Sequence, residues 1–335
     1  MQTEPGISVV MTTYNGERYL PAQLESIGRQ TCPPNELVVG DDQSSDNTAV
    51  LVAEFAQRHP HIAVRFERNA TRLGSSANFE AAIRRSRHAL VVFADQDDVW
   101  FPHRIACLQS ALDANPGASY AFSNGSLIDG DGRPMDGTLF DSVDFHRAER
   151  QAFRAGGGWR VLLRRNVVTG AALAVRRTAL MAALPVDSGW IHDYFLALRL
   201  QAVATGVLID EPLIQYRRHA AQQVGVASHS LQAALAYARK QSARQCRSEA
   251  DAWGALARRL QDGLTGPAGA QLQDVLTKQA FFQVRARMRE QPWLAPALML
   301  RAVLRGDYHR LSLGMKQLLV DMLAVADAAA RARRH

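Results

Sequence analysis

Asp95, Asp97 and Asp98 put three carboxylates into four residues, within Ala94-Asp95-Gln96-Asp97-Asp98-Val99-Trp100. They follow a short apolar run at residues 89–93, which reads as a buried strand. Like charges this close raise one another's pKa unless something positive sits between them. A divalent cation shared with a phosphorylated ligand is the simplest such group. Oxygen-only ligation suits Mg²⁺ or Mn²⁺, commonly held by one or two carboxylates plus substrate phosphates. That chemistry belongs to an enzyme acting on a nucleotide-activated substrate. A solvated acidic turn after a strand fits the same residues, and the spacing alone does not separate the two readings.

The elements that must position these acids are legible upstream. Residues 7–11 form a short β-branched run that reads as a strand. Tyr14-Asn15-Gly16 breaks it, and Tyr19, Leu20, Leu24 and Ile27 then recur at helical spacing. Residues 36–40, 62–66 and 90–93 read as three further strands. Helices are expected between them, one with Val50, Leu51, Val52 and Phe55, another with Phe79, Ala82 and Ile83. Asp46 is placed to cap the first of these two. The βαβαβαβ order predicts an α/β fold: a mostly parallel, Rossmann-like sheet with helices on both faces. Ligands bind such sheets beyond the carboxyl ends of the strands. The loops 12–15, 41–46 and 95–98 all follow strands, so they are expected to converge on one cleft. That convergence favours the cation over the plain acidic turn.

Further on, Asp129-Gly130-Asp131-Gly132 is a tight-turn signature. It resembles the start of a calcium loop, but the rest of that pattern is missing. Residues 169–175 read as a strand opening on small residues, 191–200 as a helix, and 207–209 as a short strand before Pro212. From about Ser230 the pattern turns helical. Leu231 and Leu235 are followed by Trp253, Leu256 and Leu260, then, past a break at 263–269, by Leu272, Val275, Leu276 and Phe282. Residues 293–304 and Leu311, Met315, Leu318, Leu319 and Met322 continue it, and the chain ends on Arg331, Arg333 and Arg334. Two domains are expected, an α/β domain at 1–229 and a basic α-helical extension at 230–335.

The 335 residues, 47% hydrophobic and 21% charged, are long enough to bury a sizeable core. Cys32, Cys107 and Cys246 have no metal-ligand spacing and form no even set, which favours a reducing compartment and packing roles. No basic-then-apolar leader opens the chain, and no run of about 18 apolar residues occurs, so it reads as cytoplasmic. Residues 1–229 hold 22 Lys and Arg against 24 Asp and Glu, a net of −2; residues 230–335 hold 17 against 8, a net of +9. The basic excess belongs to the extension. An anionic membrane surface is the expected partner there, with Trp253, Trp293, Phe281 and Phe282 as apolar contacts. A helical cap or dimer contact fits the same pattern. A nucleic-acid binder is disfavoured by the −2 balance and by the lack of aromatic-basic interleaving.

Four ordered motifs resemble the inverting glycosyltransferases of family 2, across about residues 5–225. They are Val9-Val10-Met11-Thr12-Thr13-Tyr14-Asn15-Gly16; Asp41-Asp42-Gln43-Ser44-Ser45-Asp46-Asn47-Thr48; Asn69, Leu73-Gly74 and Asn78-Phe79; and Asp95-Gln96-Asp97-Asp98-Val99-Trp100. The last looks like the D-x-D motif in a form common among rhamnosyltransferase-like members. The resemblance implies a GT-A fold, a dTDP- or UDP-sugar donor, and Mn²⁺ or Mg²⁺. Thr12, Tyr14, Asn15, Asp42, Asn78, Asp95, Gln96 and Gly170 would line the donor site. Asp42 would face the base, and Asp41 would cap or meet the ribose. Asp97 is the better metal candidate, with Asp95 and His219 beside it. Asp98 is a direct ligand or a structural acceptor. Asp193, in Trp190-Ile191-His192-Asp193-Tyr194, matches the family's catalytic base, a role favoured over plain capping of a helix.

Gly170-Ala171-Ala172 looks like the small-residue loop where acceptor approaches donor. Gln215-Tyr216-Arg217-Arg218-His219 resembles the motif that closes the domain; Arg217 and Arg218 would neutralise diphosphate or merely face solvent, and His192 would orient Asp193, contact the acceptor or simply pack. Gln222-Gln223 departs from relatives that carry Asn there. The resemblance implies transfer of a sugar, rhamnose as the best single choice, to a bacterial surface-glycan or lipid-linked saccharide hydroxyl. A nucleotidyltransferase is the competing enzyme class. It would show a Gly-rich basic loop near the start, and residues 12–16 are not that.

Overall fold

The computed structural model describes residues 4–219, 241–263 and 269–332. The expected boundary at 229/230, the Gln222-Gln223 departure, Leu231, Leu235, Arg333 and Arg334 lie outside the described residues. The chain divides into two units. One is Met1–Gly158, Val167–Val186 and Trp190–Gly225; the other is Trp159–Asn166, Asp187–Gly189 and Val226–His335. Two short pieces from within the α/β region of the sequence thus belong to the helical unit.

The first unit is built on one sheet. Its strands are β1 (Glu4–Thr13), β2 (Glu36–Asp41), β3 (Ala63–Arg68), β4 (His88–Ala94), β5 (Val99–Trp100), β6 (Ala118–Ile128), β7 (Pro134–Thr138), β8 (Leu173–Arg176) and β9 (Thr205–Arg217). The order is β3-β2-β1-β4-β8-β6-β9-β5, with β7 beside β6. Four neighbours, β3 to β4, run parallel. They are joined by α1 (Leu20–Gly28), α2 (Thr48–Arg58) and α3 (Ser75–Arg85). Beyond β4 the sheet becomes mixed, because β8 enters antiparallel between β4 and β6. The α/β expectation holds, and the fold is the GT-A fold.

Burial explains the strand compositions. Val9, Val10 and Met11 in central β1 are wholly buried, as are Leu37, Val38 and Val39 in β2. Strands covered on both faces read as continuous apolar runs. Edge strand β3 instead alternates apolar residues with Arg65 and Arg68, which blunts an open edge. Register levels the carboxyl ends: Thr13 pairs with Asp41, and Met11 with Ala94. The three polar loops therefore leave the sheet side by side.

Three local expectations are corrected. The strand expected from Thr169 begins only at Leu173, because Gly170–Ala172 coils into a 3-10 turn. The short strand at 207–209 is the middle of β9, which continues through Pro212 to Arg217. Register shifts on β6 at Asn124 absorb the proline's missing N–H. Asn47, not Asp46, is the N-cap of α2, although Asp46 still accepts from Thr48 N at 3.1 Å. The tight turn at 129–132 is as expected: Gly132 N donates to Asp129 O, closing the β6–β7 hairpin. Cys246 is buried, whereas Cys32 and Cys107 are half-buried, and all three are free.

The second unit is helical where it is described, with helices Ala243–Gly263, Gly269–Glu290, Ala295–Leu304, Asp307–Leu311 and Met315–Ala332. Its interior holds ions as well as Trp253, Leu256 and Leu260. Asp321, fully buried, accepts from Arg285 Nε at 3.0 Å, Arg289 Nη2 at 2.8 Å, Gln317 Nε2 at 3.1 Å and Tyr308 OH at 3.1 Å. Burial alone would raise its pKa, but Arg285 and Arg289 hold it below the usual carboxylate range. Lys278 donates to Leu163 O at 2.7 Å and lies 4.9 Å from the centre of the Trp253 ring. Among the described residues no helix is long and apolar enough to cross a membrane.

Candidate active site

The loops after β1 and β2 are zipped together by short polar side chains. Asn15 takes the left-handed region at φ 47°, which turns the chain so that its N–H meets Ser44 Oγ at 2.9 Å. Its side-chain oxygen accepts from Ser45 N at 2.9 Å. Gly16 N donates to Thr48 Oγ1, and Glu17 N to Asp46 Oδ2. Asp41 accepts from Thr13 Oγ1 at 2.8 Å and Ser44 N at 2.9 Å, so it braces the loop. Asp42 accepts from Leu73 N at 2.7 Å, Gly74 N at 2.9 Å and Asn69 Nδ2 at 3.2 Å. Asn78 is buried beneath them, its amide engaged by Gly40 O at 2.8 Å and Asn69 Nδ2 at 3.0 Å. Those two bonds tie the helix Ser75–Arg85 to the end of β2 and to Asn69.

Tyr14 and Gln96 tie the first loop to the acidic one. Gln96 Oε1 accepts from Tyr14 N at 2.9 Å and its Nε2 donates to Tyr14 O at 3.1 Å. The exposed Tyr14 ring carries the Arg72 guanidinium 3.8 Å from its centre. Thr12, half-buried, sits one residue before the Thr13 that pairs with Asp41.

Asp95, Asp97 and Asp98 each offer a carboxylate oxygen, all within 4.8 Å of one another. Burial, with Asp97 and Asp193 nearby, pushes Asp95 up to about 7 against the pull of Arg104. Burial, then Asp97 and Asp95, also raises Asp98. Asp98 Oδ1 accepts from Arg217 N at 2.9 Å, the structural acceptor role, while its buried Oδ2 has no partner. Asp97 Oδ2 lies 2.8 Å from His219 Nε2, and the His219 ring packs on Tyr19. Three crowded acids with an orphaned buried oxygen and an imidazole beside them fit a divalent cation.

The fourth acid comes from the helix His192–Val203. Asp193 is buried at its first turn and accepts from Gly170 N at 2.9 Å through Oδ2. Its negative charge is felt at Asp95 and helps to raise that residue's pKa. His192 points elsewhere: its ring stacks on Phe79 at 4.1 Å between centres, and neither ring nitrogen has a hydrogen-bond partner. Burial lowers its pKa, which keeps it neutral. Arg217 is turned inward, donating to Asp97 O at 2.7 Å and Asp129 O at 3.1 Å. Arg218 N continues the sheet to Ile128 O at 2.8 Å, and its side chain is half-buried.

Residues 8–169 match the family model described as glycosyl transferase family 2. Those residues, a little under half of the chain, form a glycosyl transferase family 2 domain. Over 222 residues it is 26% identical to an uncharacterized protein of Mycobacterium tuberculosis, covering 64% of this chain and 59% of that one. The chain thus spans less than two thirds of the length of that relative. It is 26% identical over 228 residues to the dTDP-rhamnosyl transferase RfbG of Shigella flexneri, covering 64% and 73%. The structure of TarS 1-349 from S. aureus, in complex with UDP-GlcNAc, superposes with a TM-score of 0.55 at 15% identity, covering 84% and 72%. That likeness shows the fold.

Three residues of the first unit had no role assigned from the sequence. Arg72 faces Tyr14 across the loop mouth. Arg104, wholly buried at the start of the helix Arg104–Asp113, lies 4.3 Å from the centre of the Trp100 ring. Burial pulls it down to about 9 while Asp98 and Asp95 push it up. It is the internal counter-charge of the acid cluster. Tyr216 lies in the field of all four acids, and burial first, then those charges, raises its pKa. The usable signal for Arg104 was a basic residue six positions past Asp98 in an apolar helix.

Proposed function

We propose that this chain is an inverting, metal-dependent glycosyltransferase acting on a nucleoside-diphosphate sugar. The observation that carries the reading is Asp193. Its carboxylate is fixed by the Gly170 N–H at 2.9 Å and shares its field with the acids that follow β4. An acceptor hydroxyl attacks the anomeric carbon, its proton passes to Asp193, and the diphosphate leaves from the opposite side. Asp97, with Asp95 and His219, would hold Mn²⁺ or Mg²⁺, which would supply positive charge to offset that of the diphosphate. Tyr14 and Asp42 serve the nucleobase. Asp42 Oδ1 already accepts from Leu73 N and Asn69 Nδ2, but Oδ2 accepts only from Gly74 N, which leaves one lone pair for the imide N–H of a uracil or thymine. Thr12, Asn15, Gln96 and Asp95 complete the donor side.

Likeness to a dTDP-rhamnosyl transferase supports rhamnose as the sugar and dTDP as its carrier. The acceptor is a hydroxyl of a bacterial surface-glycan or lipid-linked saccharide, met at the inner face of the cell membrane. Incubation with a panel of dTDP- and UDP-sugars, with and without Mn²⁺, tests the reading through release of nucleoside diphosphate. Release with one donor that Asp193→Asn abolishes is the expected result. Equal release by that variant defeats the base assignment, and no release with any donor defeats the reading.

A further inference from the structure

The basic extension was expected to meet a membrane through Trp253, Phe281, Phe282 and Trp293. Folding removes most of that surface. Trp253 and Phe281 are buried, and Lys278, Arg285 and Arg289 face inward as well. What remains exposed is narrower and more apolar. Trp293 is 74% exposed, Leu304 79%, and Leu300, Met315, Leu319 and Met322 all about half or more. Every residue of the helix Ala295–Leu304 is apolar except Arg301. A surface helix normally turns a polar face to water. Here Ala297, Leu300 and Leu304, at spacings of three and four, face out. On the helix Met315–Ala332 the exposed residues 315, 319, 322, 326 and 330 form a second apolar stripe. The turn Pro292–Leu294 packs on that helix, so Trp293 lies where the two stripes meet.

Arg301, Arg305 and Lys316 are exposed among these side chains. Of the nearby acids, Asp321 is buried, Asp307 and Asp327 are half-buried, and the exposed Glu290 is paired with Arg247. We propose that this face docks on an anionic lipid surface. The apolar stripe enters the boundary between headgroups and acyl chains while the Arg and Lys side chains meet phosphates. A symmetric contact between two copies would bring the same cations against one another. Lipid phosphate neutralises them instead, and that complementarity selects the occupant.

Co-sedimentation of the full chain with vesicles tests this. Vesicles of phosphatidylcholine alone are compared with vesicles in which phosphatidylglycerol replaces a third of it. Binding to the second, weakened by salt, is expected. Arg301→Gln with Arg305→Gln should weaken it by about 25-fold, taking roughly fivefold for each cation. Leu300→Glu with Leu304→Glu should lower it at least ~10-fold, since each leucine otherwise leaves water. Both pairs are exposed, and unchanged circular dichroism confirms folding. A blue shift of fluorescence on vesicles, lost in Trp293→Phe, places that residue in the interface. Three results overturn the proposal: no sedimentation with either vesicle, equal sedimentation with both, or a dimer in light scattering that the Leu300/Leu304 pair dissociates.

Discussion

Gly170→Ala should slow turnover without loosening the donor. A Cβ built on Gly170 lies 2.9 Å from His192 Nε2 and 3.4 Å from Asp193 Cβ. The first contact is about half an ångström inside ordinary van der Waals distance for carbon and nitrogen. His192 cannot recoil, because its ring is stacked on Phe79 and lies nearly parallel to Phe93 in the core. The turn Gly170–Ala172 or the start of the helix His192–Val203 must therefore shift. Either movement changes the bond from Gly170 N to Asp193 Oδ2, now 2.9 Å, and re-aims the carboxylate. Misplacement of a reacting group by about 1 Å can cost 10²-fold, so half that shift gives a fall in kcat of roughly 10- to 100-fold. Donor affinity should stay within about twofold, because Tyr14 and Asp42 sit on other loops. Steady-state release of nucleoside diphosphate gives kcat, and calorimetry with the nucleotide gives binding. A variant with kcat within about twofold of the parent refutes the claim that this turn aims Asp193.

The other perturbations are sharper but less diagnostic of geometry. Asp193→Asn should lower kcat by about 10²- to 10⁴-fold with nucleotide affinity nearly unchanged, measured by the same two assays. Asp97→Ala should abolish the dependence of nucleotide binding on added Mn²⁺; an unchanged calorimetric titration removes Asp97 from the metal site. Asp321→Asn leaves Arg285 and Arg289 buried without their shared anion and should cost about 3–5 kcal/mol in a urea melt of the full chain. The same carboxylate sets an acid limit. Its folded pKa is depressed, so its contribution is complete above the ordinary carboxylate value and is lost only as pH falls through the lower folded one. The helical unit should therefore keep its ellipticity until well below about pH 4, and Asp321→Asn should flatten that acid transition.

What the sequence made legible was set by period and order. The buried parallel strands announce themselves as β-branched runs, and three polar loops following three of them imply one edge. Register then levels those loops without further information. The mixed half of the sheet was harder, because small residues such as Gly170, Ala171 and Ala172 suit both a buried strand and a tight turn. Pro212 looked like a strand end because a proline breaks a ladder. Only the register shifts on β6 reveal that β9 runs past it. Side-chain direction was illegible for another reason. Asn78 and Arg217 stand in motif positions, yet their polar atoms are spent on Gly40 O, Asp97 O and Asp129 O. A motif fixes where a residue is, and the backbone around it decides what its atoms can still reach.

Charge shows the same limit more strongly. The acids at 95, 97 and 98 read as a group in want of a cation, but part of the answer is internal. Arg104 is buried in their field, with its Nη2 given to Phe93 O at 3.2 Å and its Nε and Nη1 unpartnered. A guanidinium with two unspent nitrogens beside acids whose pKa values remain raised does not neutralise them fully. The residual negative charge is what a divalent ion would meet. In the helical unit the sign runs the other way. Arg285 and Arg289 converge on one Asp321, and Lys278 rests on carbonyl oxygens, so a share of the basic excess never reaches the surface. The surface cations that count are the few standing among exposed apolar side chains. Net charge gives only the sign of each unit, while burial decides which of its residues a partner could touch.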